Sequence, residues 1–179
     1  ANRNYVRPEL NEVIKSVESD LHSQFPDLEL VILDANFPFF DGFPLLPHLS
    51  HNDGKKVDIA FVYQYENGEL TNEKPSRSGY GIFVNPTSKE QNQNSQCKDA
   101  GHWQYDYSKY FSFGNRNDNL EFTIAPNKLI LESIVSNDNI EKVFVEPHLR
   151  TRLGVSNSKI RFQGCHSVRH DDHYHIQLK

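Results

Sequence analysis

Histidine and apolar residues alternate in the last strand-like segment of the chain, His173–Leu178 (HYHIQL). Successive side chains of a β-strand point to opposite faces, so His173 and His175 share one face. The other face carries the apolar side chains Tyr174, Ile176 and Leu178. The alternation therefore predicts a strand whose apolar face packs on a core and whose other face presents two imidazoles side by side.

The remaining segments predict an α+β domain. Pro8–Phe25 has apolar residues at helical spacing, and Asn127–Ser136 predicts a second helix. Leu28–Leu33 and Val57–Tyr63 are short apolar runs typical of strands. Two further strands are predicted at Lys142–Val145 and Ile160–Gln163. We expect a single domain over residues 1–179 with a mainly antiparallel sheet, flanking helices and long loops, in which residues 71–100 form a polar surface excursion.

Composition excludes several classes of function. The 179 residues carry a net charge of -5, whereas general binding of nucleic acid or of an anionic membrane surface needs a basic excess. No run of the sequence approaches the roughly 20 apolar residues of a membrane span. We therefore expect neither a nucleic-acid partner nor a membrane-spanning segment.

Two residue types bear on processing and redox state. The sequence contains no methionine and begins with Ala1, so we expect a processed or trimmed chain. Either the protein is cytosolic or a signal peptide has been removed, and the sequence leaves both open. The two cysteines, Cys97 and Cys165, are too few for a four-thiolate zinc site. They predict either one disulfide or two free thiols, and the sequence does not choose between them.

The nine histidines are clustered rather than spread. Four of them lie in residues 166–175, and His48 and His51 precede Asp58 closely. Asp58 opens an otherwise apolar strand, and a buried carboxylate must be paired or bound to a metal. A turn between His51 and Asp58 can bring the two side chains together. Two imidazoles and one carboxylate would make a three-ligand zinc site with a fourth position open for water.

These motifs resemble those of a known family. Ser50-His51-x-x-Gly54-x-x-Val57-Asp58-Ile59, followed far downstream by His170-x-x-His173-x-His175, is similar to the penicillin-insensitive murein endopeptidases. They belong to the superfamily of lysostaphin-type, D-Ala-D-Ala and Sonic-hedgehog-like zinc domains. The resemblance implies a hedgehog/D-Ala-D-Ala-peptidase-like fold and a zinc peptidase. The stretch 140–153 resembles the strand and helix that precede the last motif of that family.

The resemblance also implies roles for individual residues. The Zn²⁺ ligands would be His51, Asp58 and His175. The catalytic residues would be His173, as a base that does not bind the metal, and His170. Two residues next to the first ligand, His48 and Ser50, would line the substrate site.

Alternative interpretations of the candidate site residues stay open. Asp172 is a second candidate for the base, and His173 could instead bind the metal directly. Arginine suits a peptide carboxylate, but solvated helix and loop charges are the favoured interpretation of Arg150, Arg152 and Arg169. The aromatic residues could line a substrate groove or pack within a strand or loop at Trp103, Tyr105, Tyr107 and Tyr110.

The function expected from the resemblance is hydrolysis of peptide bonds in bacterial peptidoglycan, as a D,D-endopeptidase acting on cross-links. One alternative is a D,D-carboxypeptidase or dipeptidase that trims stem peptides. A second alternative is a non-catalytic zinc-containing domain that binds a peptide. A peptidoglycan peptide would be the partner, and the protein would be periplasmic or extracellular. The oligomeric state stays open.

Overall fold

The structure is a computed structural model that describes residues 3–43, 45, 50–114, 117 and 119–179. Four α-helices are described: α1 (Pro8–Gln24), α2 (Gln93–Asp99), α3 (Ile124–Ser136) and α4 (Pro147–Leu153). A 3-10 helix spans Trp103–Phe111. The strands are β1 (Lys56–Ala60), β2 (Tyr63–Gln64), β3 (Leu70–Thr71), β4 (Glu121–Phe122), β5 (Ile140–Phe144), β6 (Ile160–Arg161) and β7 (His173–Leu178). The predicted α+β class is confirmed.

The described strands form two sheets. One has the order β1-β7-β5-β6 and the other has the order β3-β2-β4. Strand β7 lies between β1 and β5 and is antiparallel to both, whereas β5 and β6 run parallel. The predicted bounds of the last strand, His173–Leu178, are confirmed. Strand β7, which carries His173 and His175, therefore has a neighbouring strand on each side.

The apolar face of β7 packs on the core as the alternation predicts. Tyr174, Ile176 and Leu178 belong to the buried cluster. Helices α1 and α3 contact each other, and both contribute buried side chains to this cluster. The helical contribution comes from Leu10, Val13, Val17, Leu21, Ile130, Leu131 and Ile134. The imidazoles of His173 and His175 consequently lie on the face of the sheet opposite the core.

Two strand predictions need correction. Leu28–Leu33 forms no regular strand, because its contact with β1 is limited to one bridge, from Ile32 to Ile59, and a few backbone hydrogen bonds beside it. The predicted strand Val57–Tyr63 divides after Ala60. The strand pairing is interrupted at Val62, because the Asn127 side chain forms hydrogen bonds with both of its backbone groups. Asn127 Oδ1 accepts from Val62 N–H at 3.0 Å, and Asn127 Nδ2 donates to the Val62 carbonyl oxygen at 2.7 Å.

Residues 71–100 are more than a polar surface excursion. They include helix α2 and the buried side chains of Ser76, Tyr80 and Cys97. A disulfide joins Cys97 to Cys165 across 68 positions of sequence, which settles the choice that the sequence left open. The segment is thereby fastened to the loop that leads into β7. None of the described helices is both long and apolar enough to cross a bilayer.

We expect the disulfide to contribute about 4 kcal/mol to stability, because it closes a long loop and restricts the unfolded chain. Urea unfolding followed by circular dichroism should show this loss in the double variant Cys97→Ser/Cys165→Ser. Reductant should lower the free energy of unfolding of the wild type equally and leave the double variant unchanged. An unfolding free energy that does not respond to reductant would contradict the expectation.

Candidate metal centre

The register of β1 against β7 places Asp58 opposite His175 and Ala60 opposite His173. Directly paired residues on neighbouring strands point to the same face, so the Asp58 carboxylate and the His175 imidazole meet above the sheet. On the other side of His175, β5 places Phe144 in the same row. The ring centroids of Phe144 and His175 are 5.5 Å apart. The backbone pairing alone therefore brings Asp58 and His175 together.

His51 reaches the pair from the loop before β1. Its Nδ1 donates to the carbonyl oxygen of Ala35 at 2.8 Å. A carbonyl only accepts, so in the neutral ring Nδ1 carries the hydrogen and Nε2 keeps a lone pair that faces the centre. His51 Nε2 lies 3.2 Å from His175 Nδ1 and 3.3 Å from Asp58 Oδ1. The remaining edge, from His175 Nδ1 to Asp58 Oδ1, is 2.9 Å.

These three atoms have the arrangement that a tetrahedral metal site requires. Ligands at 2.0–2.1 Å from a tetrahedral zinc ion lie about 3.3 Å from one another. His51, Asp58 and His175 could therefore hold a metal ion with small adjustments of their side chains. All three residues are buried, and the second oxygen of Asp58 points away from this cluster toward a separate donor.

The pKa values of the cluster reflect the burial of one carboxylate among imidazoles. Burial opposes ionisation of Asp58, but the neighbouring His51, His173 and His175 hold its pKa well below the usual range. Burial likewise lowers the pKa of His51, yet the charge of Asp58 and hydrogen bonding raise it overall. For His175, burial dominates and its pKa is lowered. A positive charge at the centre is thus stabilised by Asp58, whether a proton or a metal supplies it.

Tyr80 holds the second oxygen of Asp58 and was missed from the sequence. Its hydroxyl donates to Asp58 Oδ2 at 2.8 Å and lies 3.2 Å from Asp34 Oδ2. Asp34 in turn forms an ion pair with Arg3 at 2.5 Å. Burial, followed by the charges of Asp58 and Asp34, raises the pKa of Tyr80 well above its ordinary value. The phenol stays protonated and orients Asp58 so that Oδ1 faces the imidazoles.

His173 is oriented by its neighbour in the chain. Its Nδ1 lies 2.5 Å from Asp172 Oδ1, and Asp172 Oδ2 accepts from the backbone N–H of Gly81 at 2.6 Å. The other ring nitrogen, Nε2, lies 3.7 Å from Asp58 Oδ1. Burial lowers the pKa of His173, but the charges of Asp58 and Asp172 raise it to about 9. Asp172 thus directs His173 Nε2 toward the centre.

Gly81 is required by this arrangement. It adopts a positive φ of 81°, and a Cβ atom there would lie 2.5 Å from the carbonyl oxygen of Ser108. Only glycine lets the segment pass the 3-10 helix closely enough for its N–H to reach Asp172. The Gly-Tyr-Gly sequence at residues 79–81 is the local signal that could have identified this part of the site.

His170 adds a second set of possible ligands. His170, His173 and His175 also place one nitrogen each within the range that a metal could bridge. The ring of His170 lies 5.1 Å from that of His173 and 5.7 Å from that of His175. The two sets overlap at His175, so the structure offers a His-Asp-His group and a three-His group around one shared imidazole.

The loop that carries His170 is anchored by buried polar contacts. Arg169 is buried, where its guanidinium pairs with Asp171 and Asp106. It is therefore neither a solvated charge nor open to a substrate carboxylate. Glu146 accepts from the backbone N–H of His170 at 3.0 Å and from the Tyr105 hydroxyl at 2.6 Å. The imidazole of His170 is consequently positioned by the fold rather than by solvent.

The structure brings together only some of the residues predicted for the site. Those that lie together are His51, Asp58, His170, His173 and His175. Ser50 is exposed in the turn before His51, and His48 lies outside the described residues. The aromatic residues lie on the 3-10 helix, where Tyr105 is buried and the other three are exposed: Trp103, Tyr107 and Tyr110.

Comparison with known proteins adds no relative: no protein-family model matches the chain, and no curated protein matches it either.

The geometry predicts that the purified protein retains about one metal ion per chain without added metal, and that His51→Ala loses it. Elemental analysis of both proteins measures this directly. His22→Ala is the matched control, since His22 is exposed near the end of α1, and it should keep the metal. A wild-type chain that stays empty after titration with zinc would contradict the prediction.

Proposed function

We propose that the protein is a zinc-dependent hydrolase that cleaves peptide bonds of bacterial peptidoglycan, as a D,D-endopeptidase acting on cross-links. The observation that carries the proposal is the convergence of His51 Nε2, Asp58 Oδ1 and His175 Nδ1 at 2.9–3.3 Å, beside a third, oriented imidazole, that of His173. The hedgehog/D-Ala-D-Ala-peptidase-like fold and the peptidoglycan substrate rest on the motif resemblance. The disulfide supports a periplasmic or extracellular location, because such bonds persist in oxidising compartments.

The chemistry of the donor atoms favours zinc. Two imidazole nitrogens and one carboxylate oxygen are ligands of catalytic zinc sites, whereas calcium and magnesium prefer oxygen alone. When bound, zinc would lower the pKa of a water molecule and polarise the peptide carbonyl. The ligands would be His51, Asp58 and His175, which the fold already holds at suitable separations.

His173 is the proposed general base. In its neutral form, with Nδ1–H donated to Asp172, the ring has its lone pair on Nε2, which faces the candidate metal centre. A metal cation at that centre would offset the charge of Asp58, which is one cause of the raised pKa of His173, and would favour this neutral form. Nε2 takes the proton of the attacking water and later returns it to the leaving amine. Asp172 has one oxygen on His173 and the other on Gly81 N–H, so we assign it the positioning of the base rather than the proton transfer itself.

His170 is proposed to assist beside His173. It is buried, and the anchoring of its backbone to Glu146 fixes its place against the other two imidazoles. In its protonated form such a ring stabilises the negative charge that develops on the carbonyl oxygen.

Replacing the base should separate catalysis from metal binding. We expect His173→Ala to lower kcat by about 10²–10⁴-fold, the usual contribution of a general base, while zinc stays bound. Turnover of a cross-linked muropeptide and elemental analysis of the same sample measure both quantities. Asp172→Asn should also keep its zinc and lose part of kcat, because only the orientation of the base is disturbed. Loss of zinc from His173→Ala would instead make His173 a ligand in the three-His group.

Digestion of defined muropeptides identifies the bond that is cut. An endopeptidase should convert cross-linked dimers to monomers and leave purified monomers intact, whereas a D,D-carboxypeptidase or dipeptidase should shorten the monomers. Chromatography with mass detection distinguishes these products. Zinc-loaded protein that leaves both substrates uncut would contradict the proposal.

The burial of the centre favours one other candidate function. His51 and Asp58 have no exposed surface, and His175 is only 4 % exposed. Structural zinc sites are closed in this way, so a non-catalytic zinc-containing domain that binds a peptide is the second candidate. It would bind muropeptides without turnover, and its peptide affinity would be unchanged in His173→Ala.

A further inference from the structure

We propose that a surface cleft lined by Arg150 and Arg161, separate from the candidate metal centre, binds a carboxylate of the peptide that this centre cleaves. The cleft has a volume of about 490 Å³ and lies between α4, the loop that follows it and β6. The polar residues of its lining are Arg150, Arg161, Gln91, Thr151 and Ser156. None of these residues belongs to the candidate metal centre.

The two guanidinium groups have no anionic partner in the described part of the chain. Arg150 and Arg161 are exposed, and neither side chain forms an ion pair or a hydrogen bond with the residues that the structure describes. Arg152, two residues after Arg150 in α4, contrasts with them because it is held by two hydrogen bonds to Glu90. Two uncompensated arginines at one concave site of a chain with net charge -5 indicate an anion supplied from outside.

The rest of the lining selects the kind of anion. The same lining also includes the apolar residues Val145, Val155 and Phe162. Inorganic phosphate gains nothing from apolar walls, whereas a peptide acid can bury its side chains there and present its carboxylate to arginine in the planar two-bond geometry. The chemistry therefore fits an organic carboxylate attached to an apolar body.

The position of Arg161 links this cleft to the metal centre. Arg161 pairs with Phe144 across β6 and β5, and Phe144 pairs with His175 across β5 and β7. Residues of one row share a face of the sheet. Because neighbouring strands lie about 4.8 Å apart, the Cα atoms of Arg161 and His175 are separated by two strand spacings, about 10 Å. An extended peptide covers this distance in about three residues. The substrate carboxylate should thus lie about three residues from the bond that is cut, an assignment that rests on the proposed hydrolase function.

Binding measurements test the cleft without any need for turnover. The probes are N-acetyl-trialanine with a free carboxylate, the same peptide as its C-terminal amide, and inorganic phosphate, each titrated by calorimetry. The wild type should bind the acid about tenfold more tightly than the amide, as expected for one charge-assisted interaction. In Arg150→Gln/Arg161→Gln this ratio should fall to about one. Lys15→Gln/Lys128→Gln removes the same charge from solvent-accessible positions of α1 and α3, away from the cleft, and should keep the wild-type ratio.

Two binding results would overturn the inference. Equal affinity of the wild type for the acid and the amide would show that the cleft does not recognise a carboxylate. Phosphate that binds as tightly as the peptide acid, and is lost with the two arginines, would make the cleft a phosphate site instead.

Kinetics then connects the cleft to catalysis. With cross-linked muropeptides, Arg150→Gln/Arg161→Gln should raise KM about tenfold at unchanged kcat, and amidation of the substrate carboxylates should cancel the difference from the wild type. An unchanged KM would separate the cleft from the substrate and overturn the link. Selective binding of the acid without any muropeptide cleavage would keep the carboxylate site and overturn the peptidoglycan function alone.

Discussion

The buried carboxylate of Asp58 is the constraint on which the site depends. An ionised carboxylate loses several kcal/mol of hydration when it is buried, and this loss must be offset by close partners. One oxygen of Asp58 faces the imidazoles of His51, His173 and His175, and the other accepts from Tyr80. The pairing of β1 with β7 fixes this arrangement, because a shift of one residue would turn Asp58 toward the apolar core.

A second set of contacts holds the loop before β7 in place. The disulfide Cys97–Cys165, the buried guanidinium of Arg169 and the carboxylate of Glu146 all fasten residues 165–171 to segments far away in sequence. Buried polar networks of this kind are rigid when every member is satisfied. The imidazoles of His170 and His173 therefore occupy defined positions although they lie at the junction of a loop and a strand.

The parts that could be predicted from the sequence are those governed by local periodicity. The alternation in His173–Leu178 determines both its strand and its two faces, and the anomaly of one carboxylate in an apolar run identifies Asp58. Tyr80 could not be found in this way, because its role arises from a contact across 22 positions and its surroundings in sequence are polar. The end of β1 at Ala60 could not be predicted for a similar reason. The hydrogen bonds that replace strand pairing at Val62 come from Asn127, which lies in a helix distant in sequence.

The closed surroundings of the candidate metal centre and the proposed catalytic role are reconciled by the residues beside the His-Asp-His group. A purely structural zinc site needs its ligands and the groups that orient them, and nothing more. Here Asp172 is also buried, at the cost of its hydration, and its two oxygens serve only to hold His173 and the backbone of Gly81. Gly81 itself is confined to glycine by its approach to Ser108. A fold that maintains an oriented imidazole beside three candidate metal ligands, through two further constrained residues, favours the proposed role of that imidazole in proton transfer.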